Sequence, residues 1–180
     1  LIDYFLMIFD VDCSVIVYNF LDILSQARTE TDIIRELTED EASFRSLTRS
    51  WFEHSDLLTL LRLLSERGHT VIITSDHGTL RIDTPVKVPG ARDTSATLRY
   101  TPGRHLAYNS REVYEITRPE DIQLPSINLS SSYIFAYNTD FLVYNTDANR
   151  YIRYYRNTYQ HGGISMEEML VPYIVLKPKQ

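Results

Sequence analysis

An aspartate and a histidine stand side by side directly after the most strand-like segment of this chain. The apolar, β-branched run 71–74 is followed by Ser75, Asp76, His77 and Gly78. Such a run predicts a buried strand, and open α/β sheets bind ligands at the carboxyl ends of their strands. Carboxylate oxygen and imidazole nitrogen are both good zinc ligands, so the pair is a candidate metal site. The alternative is structural: Asp76 and His77 cap the next segment, and Gly78 turns the chain.

A second histidine lies beside glycines near the end of the chain. His161 precedes a Gly-Gly pair, and paired glycines let the backbone pass close to a ligand or adopt positive φ. Ser165 and Glu168 have the spacing of a capping box, which predicts a short helix that ends before Pro172. His161 is therefore expected to be held just ahead of a rigid helix start.

Together these two segments resemble a known family. Ser-Asp-His-Gly at 75–78 and His-Gly-Gly-x-Ser-x-Glu-Glu at 161–168 are similar to motifs of the alkaline phosphatase superfamily and, within it, of the PglZ domain. Residues 17–49 and 86–178 look most like the PglZ domain of PorX-type response regulators, so the resemblance covers almost the whole chain. It implies an alkaline-phosphatase-like α/β fold, with a mostly parallel central sheet flanked by helices.

The resemblance also implies two metal sites, with zinc as the expected ion. Asp76 and His77 would belong to one site, and Asp22, Gln26 and His161 to the other. His77 and His161 are therefore expected to lie near each other around a common metal centre. Asp22 and Gln26 are four residues apart, so they share a face if their segment is helical. The superfamily has histidine where this chain has Gln26, and a neutral amide is the weaker zinc ligand. This site is therefore expected to bind more loosely or to favour a harder metal. Asp22 also suits a helix N-cap, which is the alternative for that residue.

Residues 79–130 are predicted to form an excursion of loops and small strands over the site, because prolines and glycines recur in them. The densest basic group of an otherwise acidic chain lies there: Lys87, Arg92, Arg99, Arg104 and His105. Arginine binds phosphate bidentately, and PglZ-like sequences resemble this one at Arg92 and Arg99. Arg92, Arg99 and His105 are therefore the predicted substrate ligands. Basic side chains that only keep a loop soluble are the alternative.

A rival interpretation starts from Asp10. The apolar run 4–9 ends at Asp10-Val11-Asp12, which is also how haloacid-dehalogenase-type phosphatases begin, with the first Asp as nucleophile. That family also needs a Ser or Thr after a later strand, which Thr74 or Ser75 could supply. It then needs a Lys and an acidic pair after another apolar strand, and no strand after Lys87 ends in two carboxylates. A haloacid-dehalogenase-like phosphatase that uses Asp10 is therefore kept as a second alternative function.

Periodicity predicts the elements that would carry these residues. The segment 44–67 has a broad leucine stripe, so it predicts one largely buried helix that Gly68 ends. A helix between two strands favours their parallel pairing. The predicted strands are Ser14–Phe20, Val71–Thr74, Ser131–Tyr137, Phe141–Tyr144, Tyr151–Tyr155 as an edge strand, and Val171–Leu176, with a turn around Asn138–Asp140 joining the third and the fourth.

Composition narrows the class of protein. With 180 residues, 43% of them hydrophobic, the chain can bury the core of one domain. A net charge of −6 argues against a general nucleic-acid-binding surface. Cys13 is the only cysteine, which excludes an internal disulfide and agrees with a cytoplasmic location. No apolar run approaches the roughly 20 residues of a membrane span. Because the chain starts at Leu1, it is expected to be an excised C-terminal part of a PglZ domain.

The resulting functional hypothesis is a metal-dependent phosphoesterase that acts on phosphate esters, including nucleotides. The resemblance implies an output domain of a two-component response regulator, with a receiver domain upstream, a sensor kinase as partner, homodimerisation, and a role in type IX secretion. It also implies a nucleophile upstream of Leu1, so this segment alone is expected to be inactive. The alternative is a non-catalytic signalling or partner-binding module that keeps its metal site for structure.

Overall fold

The computed structural model describes residues 11–88, 97–103, 108–125, 132–144 and 148–179. The chain divides into two compact units, one of residues 1–74 with 172–180 and the other of residues 75–171. None of the helices in these described ranges combines the length and the apolar character that a membrane crossing requires.

The described residues of the first unit form four helices and one two-stranded sheet. Its helices are α1 (Phe20–Glu30), α2 (Asp32–Leu37), α3 (Glu41–His54) and α4 (Asp56–Glu66). Helix α3 begins where the Asp40 carboxylate accepts the backbone N–H of Ser43 at 2.7 Å, a standard N-cap contact. Phe20 of α1 stacks on Trp51 of α3, with ring centroids 3.9 Å apart. An aromatic contact therefore joins the first and third helices.

The single helix predicted over 44–67 is two helices in the structure. Ser55 adopts extended backbone, with φ −89° and ψ 156°, and its hydroxyl donates to the Phe52 carbonyl at 2.9 Å. A serine can satisfy backbone groups in this way outside a helix, so it ends α3 and begins α4. Only Leu60 and Leu64 of α4 are buried, and α3 buries none of its residues. The prediction of one largely buried helix was wrong.

The predicted stop at Gly68 is confirmed. Gly68 has φ +81°, a left-handed conformation that other residues adopt at a cost. Its N–H donates to the Ser65 carbonyl at 3.2 Å, and the His69 N–H donates to the Leu64 carbonyl at 3.0 Å. These two bonds form a Schellman motif, which leads the chain out of α4 and into the next strand.

That strand, β1 (Val71–Thr74), pairs antiparallel with the last strand, β9 (Tyr173–Leu176). Val71 lies opposite Leu176 and Thr74 opposite Tyr173. The predicted parallel pairing through a helical crossover is therefore wrong for β1. The reason is non-local, because the partner comes from the far end of the chain and the crossover rule considers only neighbouring elements.

The prediction of a strand over Ser14–Phe20 is also wrong. Residues 13–19 have no regular structure, and α1 begins at Phe20. Val15 and Val17 are 85% and 78% exposed. A strand needs a neighbour for its backbone hydrogen bonds, and none of the described strands pairs with this segment. The apolar run 4–9 and Asp10 lie outside the described residues.

The second unit is built from short strands. They are β2 (Leu80–Arg81), β3 (Thr84–Val88), β4 (Tyr100–Gly103), β5 (Val113–Ile116), β6 (Ser132–Ala136), β7 (Asp140–Tyr144) and β8 (Tyr159–Gln160). Strand β3 runs parallel to β7, β2 runs antiparallel to β8, and β6 lies between β4 and β5 with antiparallel pairing on both sides. A short 3-10 turn occupies Pro119–Ile122.

The strands predicted on either side of residues 138–140 are confirmed as β6 and β7, and so is the turn between them. The Asp140 N–H donates to the Tyr137 carbonyl at 2.8 Å, and Asn138 has φ +38°. The two strands nevertheless take different ladder partners. Leu98 and Arg99 lie between them, because the Leu142 N–H donates to the Leu98 carbonyl and the Ala136 N–H to the Arg99 carbonyl. Arg99 is thus built into the middle of this unit.

Residues 148–155 form a helix, α5 (Ala148–Tyr155), where an edge strand was predicted for Tyr151–Tyr155. Ala148, Tyr151, Ile152 and Tyr155 pack against the buried cluster of Ile82, Leu98, Phe141 and Val143. Their spacing of three, four and seven residues is that of a helix face, so the helical period and not the alternation of aromatic and basic residues decides the structure. The last helix, α6 (Met166–Met169), lies where the capping box predicted it.

The overall architecture is mixed α/β. The described residues form four small sheets, and β3–β7 is the parallel pair among them. The predicted mostly parallel central sheet is therefore not the arrangement of these residues. The excursion predicted over 79–130 supplies β2 to β5, and these strands pair with β6, β7 and β8 from beyond it.

Candidate functional site

The two histidine segments meet in the second unit through the pairing of β2 with β8. Leu80 lies opposite Gln160 and Arg81 opposite Tyr159. Because the pair is antiparallel, the chain before Leu80 and the chain after Gln160 leave it at the same end. His77 and His161 are therefore brought together by a short ladder whose residues have no chemical role of their own.

The two imidazole rings are stacked. Their centroids are 3.8 Å apart and their planes differ by 9°. The predicted proximity of His77 and His161 is thus confirmed, although they are far apart in the sequence. Their role as metal ligands stays a prediction.

Asp76 lies at the open side of this pair. Its Oδ1 is 3.7 Å from Nε2 of His77, and its side chain is 87% exposed, whereas that of His77 is 23% exposed. The other ring nitrogen of His77, Nδ1, is 3.0 Å from the Gly78 carbonyl oxygen and donates to it. This bond orients the ring, and in the neutral imidazole it makes Nε2 the acceptor nitrogen, as the supporting hydrogen bond of a metal-binding histidine does.

Glu168 forms hydrogen bonds with both histidine segments. Its backbone carbonyl accepts the Gly78 N–H at 2.8 Å, next to His77. Its carboxylate accepts the backbone N–H groups of Gly163 at 2.9 Å and Ser165 at 3.3 Å, next to His161. The contact with Ser165 is the carboxylate half of the predicted capping box.

Arg99 forms a buried ion pair with the Glu168 carboxylate. Its Nε and Nη2 donate to Oε1 and Oε2 of Glu168 at 2.8 and 2.9 Å, a bidentate pair with side chains 0% and 1% exposed. Arg99 Nη1 also donates to the Asp140 carbonyl. The predicted role of Arg99 in substrate binding stays a prediction, and in this structure its guanidinium faces protein. Arg92 and His105, the other two predicted substrate ligands, lie outside the described residues.

Two glycines are required by the close approach of α6 and the loop before it. A Cβ on Gly78 would lie 2.0 Å from the Glu167 carbonyl oxygen. A Cβ on Gly163 would lie 2.4 Å from Oε2 of Glu168. Gly162 has φ +94°, the conformation that the sequence suggested for the glycine pair. Space is thus what Gly78 and Gly163 provide, and backbone freedom is what Gly162 provides.

Asp22 and Gln26 lie in the first unit, on α1, and both are exposed. The helix that would place them on one face is confirmed. Asn19 occupies the N-cap position, so the alternative role of Asp22 as the N-cap is wrong. The Gln26 amide donates to the Glu30 carboxylate at 3.2 Å, one turn further on. Whether Asp22 and Gln26 share a metal site with His161 stays a prediction.

The described residues hold no group of three or more His, Cys, Asp or Glu side chains arranged around a common point for a metal ion. Asp76, His77 and His161 nevertheless supply zinc-compatible donors, one carboxylate and two imidazoles, and the bond from Nδ1 of His77 leaves its Nε2 as an acceptor. The chemistry of the donor set therefore fits a metal, with further ligands needed to complete each coordination sphere.

The charge state of Glu168 follows from its partners. Burial by itself would raise the pKa of this carboxyl group, but the hydrogen bonds and charge of Arg99 and the Gly163 N–H outweigh it. They hold the pKa below its ordinary value of 4.5. Glu168 is therefore ionised wherever the protein is folded near neutral pH.

We expect this carboxylate to contribute to acid lability. A lowered folded-state pKa gives a stabilisation that is complete above the unfolded value of 4.5 and is lost as the pH falls below it. Glu168→Gln should therefore flatten the fall in unfolding free energy below pH 4.5, measured by urea titration at several pH values. Glu53→Gln is the matched control. The pKa of Glu53 is also lowered by an arginine, Arg49, but the pair is exposed. Equal flattening in both variants would contradict the prediction.

Comparison with known proteins gives the family. A family model described as the BREX system PglZ alkaline phosphatase-like domain matches residues 6–176. The chain belongs to this family. Its likeness to PorX-type response regulators in particular stays a prediction. A search of curated proteins found no match.

Sequence reasoning found both histidine segments but missed the ion pair that Glu168 forms with Arg99. The Ser-x-x-Glu spacing identified it as a capping residue, which accounts only for its contact with Ser165. Its ion pair with Arg99 spans 69 residues and has no local signal. The adjacent glycines were the available clue, because a carboxylate packs directly on Gly163.

Proposed function

We propose that this chain belongs to a metal-dependent phosphoesterase, which hydrolyses phosphate monoesters or diesters, nucleotides included. Membership of an alkaline phosphatase-like family makes hydrolase chemistry the first expectation. The observation that carries the proposal is the stacked pair of His77 and His161, each beside glycine, with the exposed Asp76 carboxylate next to His77.

The geometry of the stack favours two ions over one. The in-plane lone pairs of two nearly parallel rings 3.8 Å apart lie in two separate planes, so they do not converge on a single point. Two-metal hydrolytic sites hold their ions about 3.5–4 Å apart, which is close to the spacing of the rings. This spacing supports a division in which His77 and His161 serve different ions, His77 together with Asp76. The assignment of Asp22 and Gln26 to the ion of His161 is proposed from the family resemblance alone.

Zinc is the proposed ion, since imidazole and carboxylate are its usual ligands. When bound, two such ions would stabilise the attacking and the leaving oxygen of a phosphoryl transfer. The chain's own residues have distinct tasks. Asp76 presents an exposed carboxylate, and His77 is oriented by the bond from its Nδ1 to the Gly78 carbonyl. Arg92 and His105 are proposed to bind the phosphate group of the substrate, and the nucleophile is proposed to come from upstream of Leu1.

The biological setting proposed with this activity is the output domain of a cytoplasmic two-component response regulator, which pairs with a sensor kinase and forms homodimers. A specific observation favours one alternative. Gln26 binds Glu30 within its own helix, so the second ion could be weakly held. A domain that keeps one structural ion and works by binding a partner would then be the competing function.

We expect the two metal sites to differ in affinity, with Gln26 as the cause. The site of Asp22 would have one carboxylate, one imidazole and a neutral amide, so it should lose its ion first under mild chelation. Changes of this kind commonly alter metal affinity by about 10–100-fold. Gln26→His should then tighten zinc binding at this site, as measured by zinc titration of the full-length protein.

Gln26→Glu is the informative companion, because it supplies a charged oxygen without an imidazole and should tighten the same site. Glu30→Ala is the control that releases the Gln26 amide without adding a ligand, because alanine has no side-chain acceptor. Two ions of equal affinity in the parent, with no gain in Gln26→His, would show that Gln26 is not a ligand. A parent protein that binds neither zinc nor a harder divalent ion would rule out the metal-dependent function.

A further inference from the structure

The ion pair of Arg99 and Glu168 connects the candidate site to the centre of the second unit. Arg99 lies between β6 and β7, and Glu168 lies in α6. Glu168 reaches the His77 segment through its backbone carbonyl and the His161 segment through its carboxylate. One residue is therefore bonded to both chain segments that carry the stacked rings.

Helix capping does not account for this arrangement. Helix α6 has four residues, and a capping carboxylate on so short a surface helix would ordinarily be exposed to solvent. Glu168 is instead 1% exposed and is paired with an arginine that is 0% exposed. Removing two charges from water is costly, and apolar side chains of the same size would often stabilise the fold as well or better. The pair thus makes sense as a device that fixes geometry.

We propose that Glu168 and Arg99 are positioning residues that set the spacing of His77 and His161. The bidentate pair holds the carboxylate in one orientation, and that orientation directs its oxygens at the N–H groups of Gly163 and Ser165. The same helix turn presents the Glu168 carbonyl to Gly78. The expected effects on metal affinity rest on the proposed function, because they require that the two histidines bind metal. The spacing of the rings is a readout that needs no metal.

Glu168→Gln tests the carboxylate in the full-length protein. The substitution keeps the shape of the side chain but removes its charge, and it replaces one acceptor oxygen with a donor that cannot bond to Arg99. Glu167→Gln is the matched control, because Glu167 is the exposed neighbour on the same helix. In metal-free protein with labelled histidine, nuclear Overhauser effects between the rings of His77 and His161 are expected in the parent and in Glu167→Gln. They should be lost or strongly reduced in Glu168→Gln.

Zinc affinity supplies the second readout. We expect Glu168→Gln to weaken it by about 10–100-fold, the range seen when supporting residues of metal ligands are changed. Arg99→Lys should give a smaller loss, since lysine restores the charge but not the forked geometry. If the parent shows the ring contact but binds no zinc, the proposed function fails while the positioning role stands.

A double variant, Arg99→Met with Glu168→Met, keeps the test decisive if Glu168→Gln does not fold. Replacing both charges by apolar side chains removes the penalty of an unpaired buried arginine, so stability should return towards that of the parent. The bonds to Gly163 and Ser165 are absent in this variant, so the ring contact should still be lost. A folded double variant, or a folded Glu168→Gln, with the parent's ring contact would overturn the inference. A double variant that does not fold would overturn it too, by making the pair a requirement of the fold.

Discussion

Gly78→Ala is expected to destabilise the protein by about 3 kcal/mol or more, which is unusual for a glycine whose own φ is not positive. The added Cβ would lie 2.0 Å from the Glu167 carbonyl oxygen and 3.4 Å from that of Leu170. Both are backbone atoms, so no flexible side chain can move aside. The segment must shift, and the 2.8 Å bond from the Gly78 N–H to the Glu168 carbonyl is expected to break with it.

Urea-induced unfolding in the presence of a chelator measures this effect without a contribution from bound metal. Gly68→Ala is the matched control, because Gly68 has φ +81° but a methyl group added there would meet nothing within 4 Å. It should cost only the left-handed conformation, about 1–2 kcal/mol. If Gly78→Ala were as stable as the parent, α6 would not be packed directly against the His77 segment.

The ends and positions of single helices could be predicted from this sequence, because the residues that determine them are close together in the chain. The position of α6 follows from the spacing of Ser165 and Glu168, and the stop after α4 follows from Gly68. The neighbourhood of His77 and His161 was also predicted, but by family resemblance. No periodicity in the chain indicates that Leu80 pairs with Gln160, and that pairing is what brings the rings together.

Several of the failures have a non-local cause. Val71–Thr74 was expected to pair in parallel, but its partner is Tyr173–Leu176, and no pattern within either strand specifies the direction of the other. The ion pair of Arg99 with Glu168 was not predicted, because no local pattern links two residues that lie 69 positions apart, and the role of Arg99 in substrate binding stays a prediction. An ion pair of this kind is set by tertiary packing, so a composition of exposed-looking charges is a poor guide to it. The misread helix at Ala148–Tyr155 and the missed break at Ser55 did have local signals that could have been used.

The second large effect concerns Asp76. If the proposed function is correct, Asp76→Asn in the full-length protein should lower phosphodiesterase activity by more than about 100-fold. It would remove a charged metal ligand, and changes to residues that merely support metal ligands already cost about 10–100-fold. The Asp76 side chain is 87% exposed, so the substitution should change the unfolding free energy by no more than about 0.5 kcal/mol. A loss of activity in a protein of unchanged stability would therefore result from the change at the site and not from unfolding. Zinc content, measured in parallel, should fall by one ion per chain.

Asp10→Asn separates this site from the rival that uses Asp10 as a nucleophile. A nucleophilic carboxylate cannot be replaced by an amide, so a haloacid-dehalogenase-like enzyme would lose its activity with this change and would keep it with Asp76→Asn. We expect the reverse, with Asp10→Asn nearly as active as the parent. The physical reason is that the Asp76 carboxylate lies 3.7 Å from an imidazole that is stacked on a second one, whereas no apolar strand after Lys87 ends in the acidic pair that the rival requires. Loss of activity in a folded Asp10→Asn protein, with activity kept in Asp76→Asn, would assign the chemistry to Asp10.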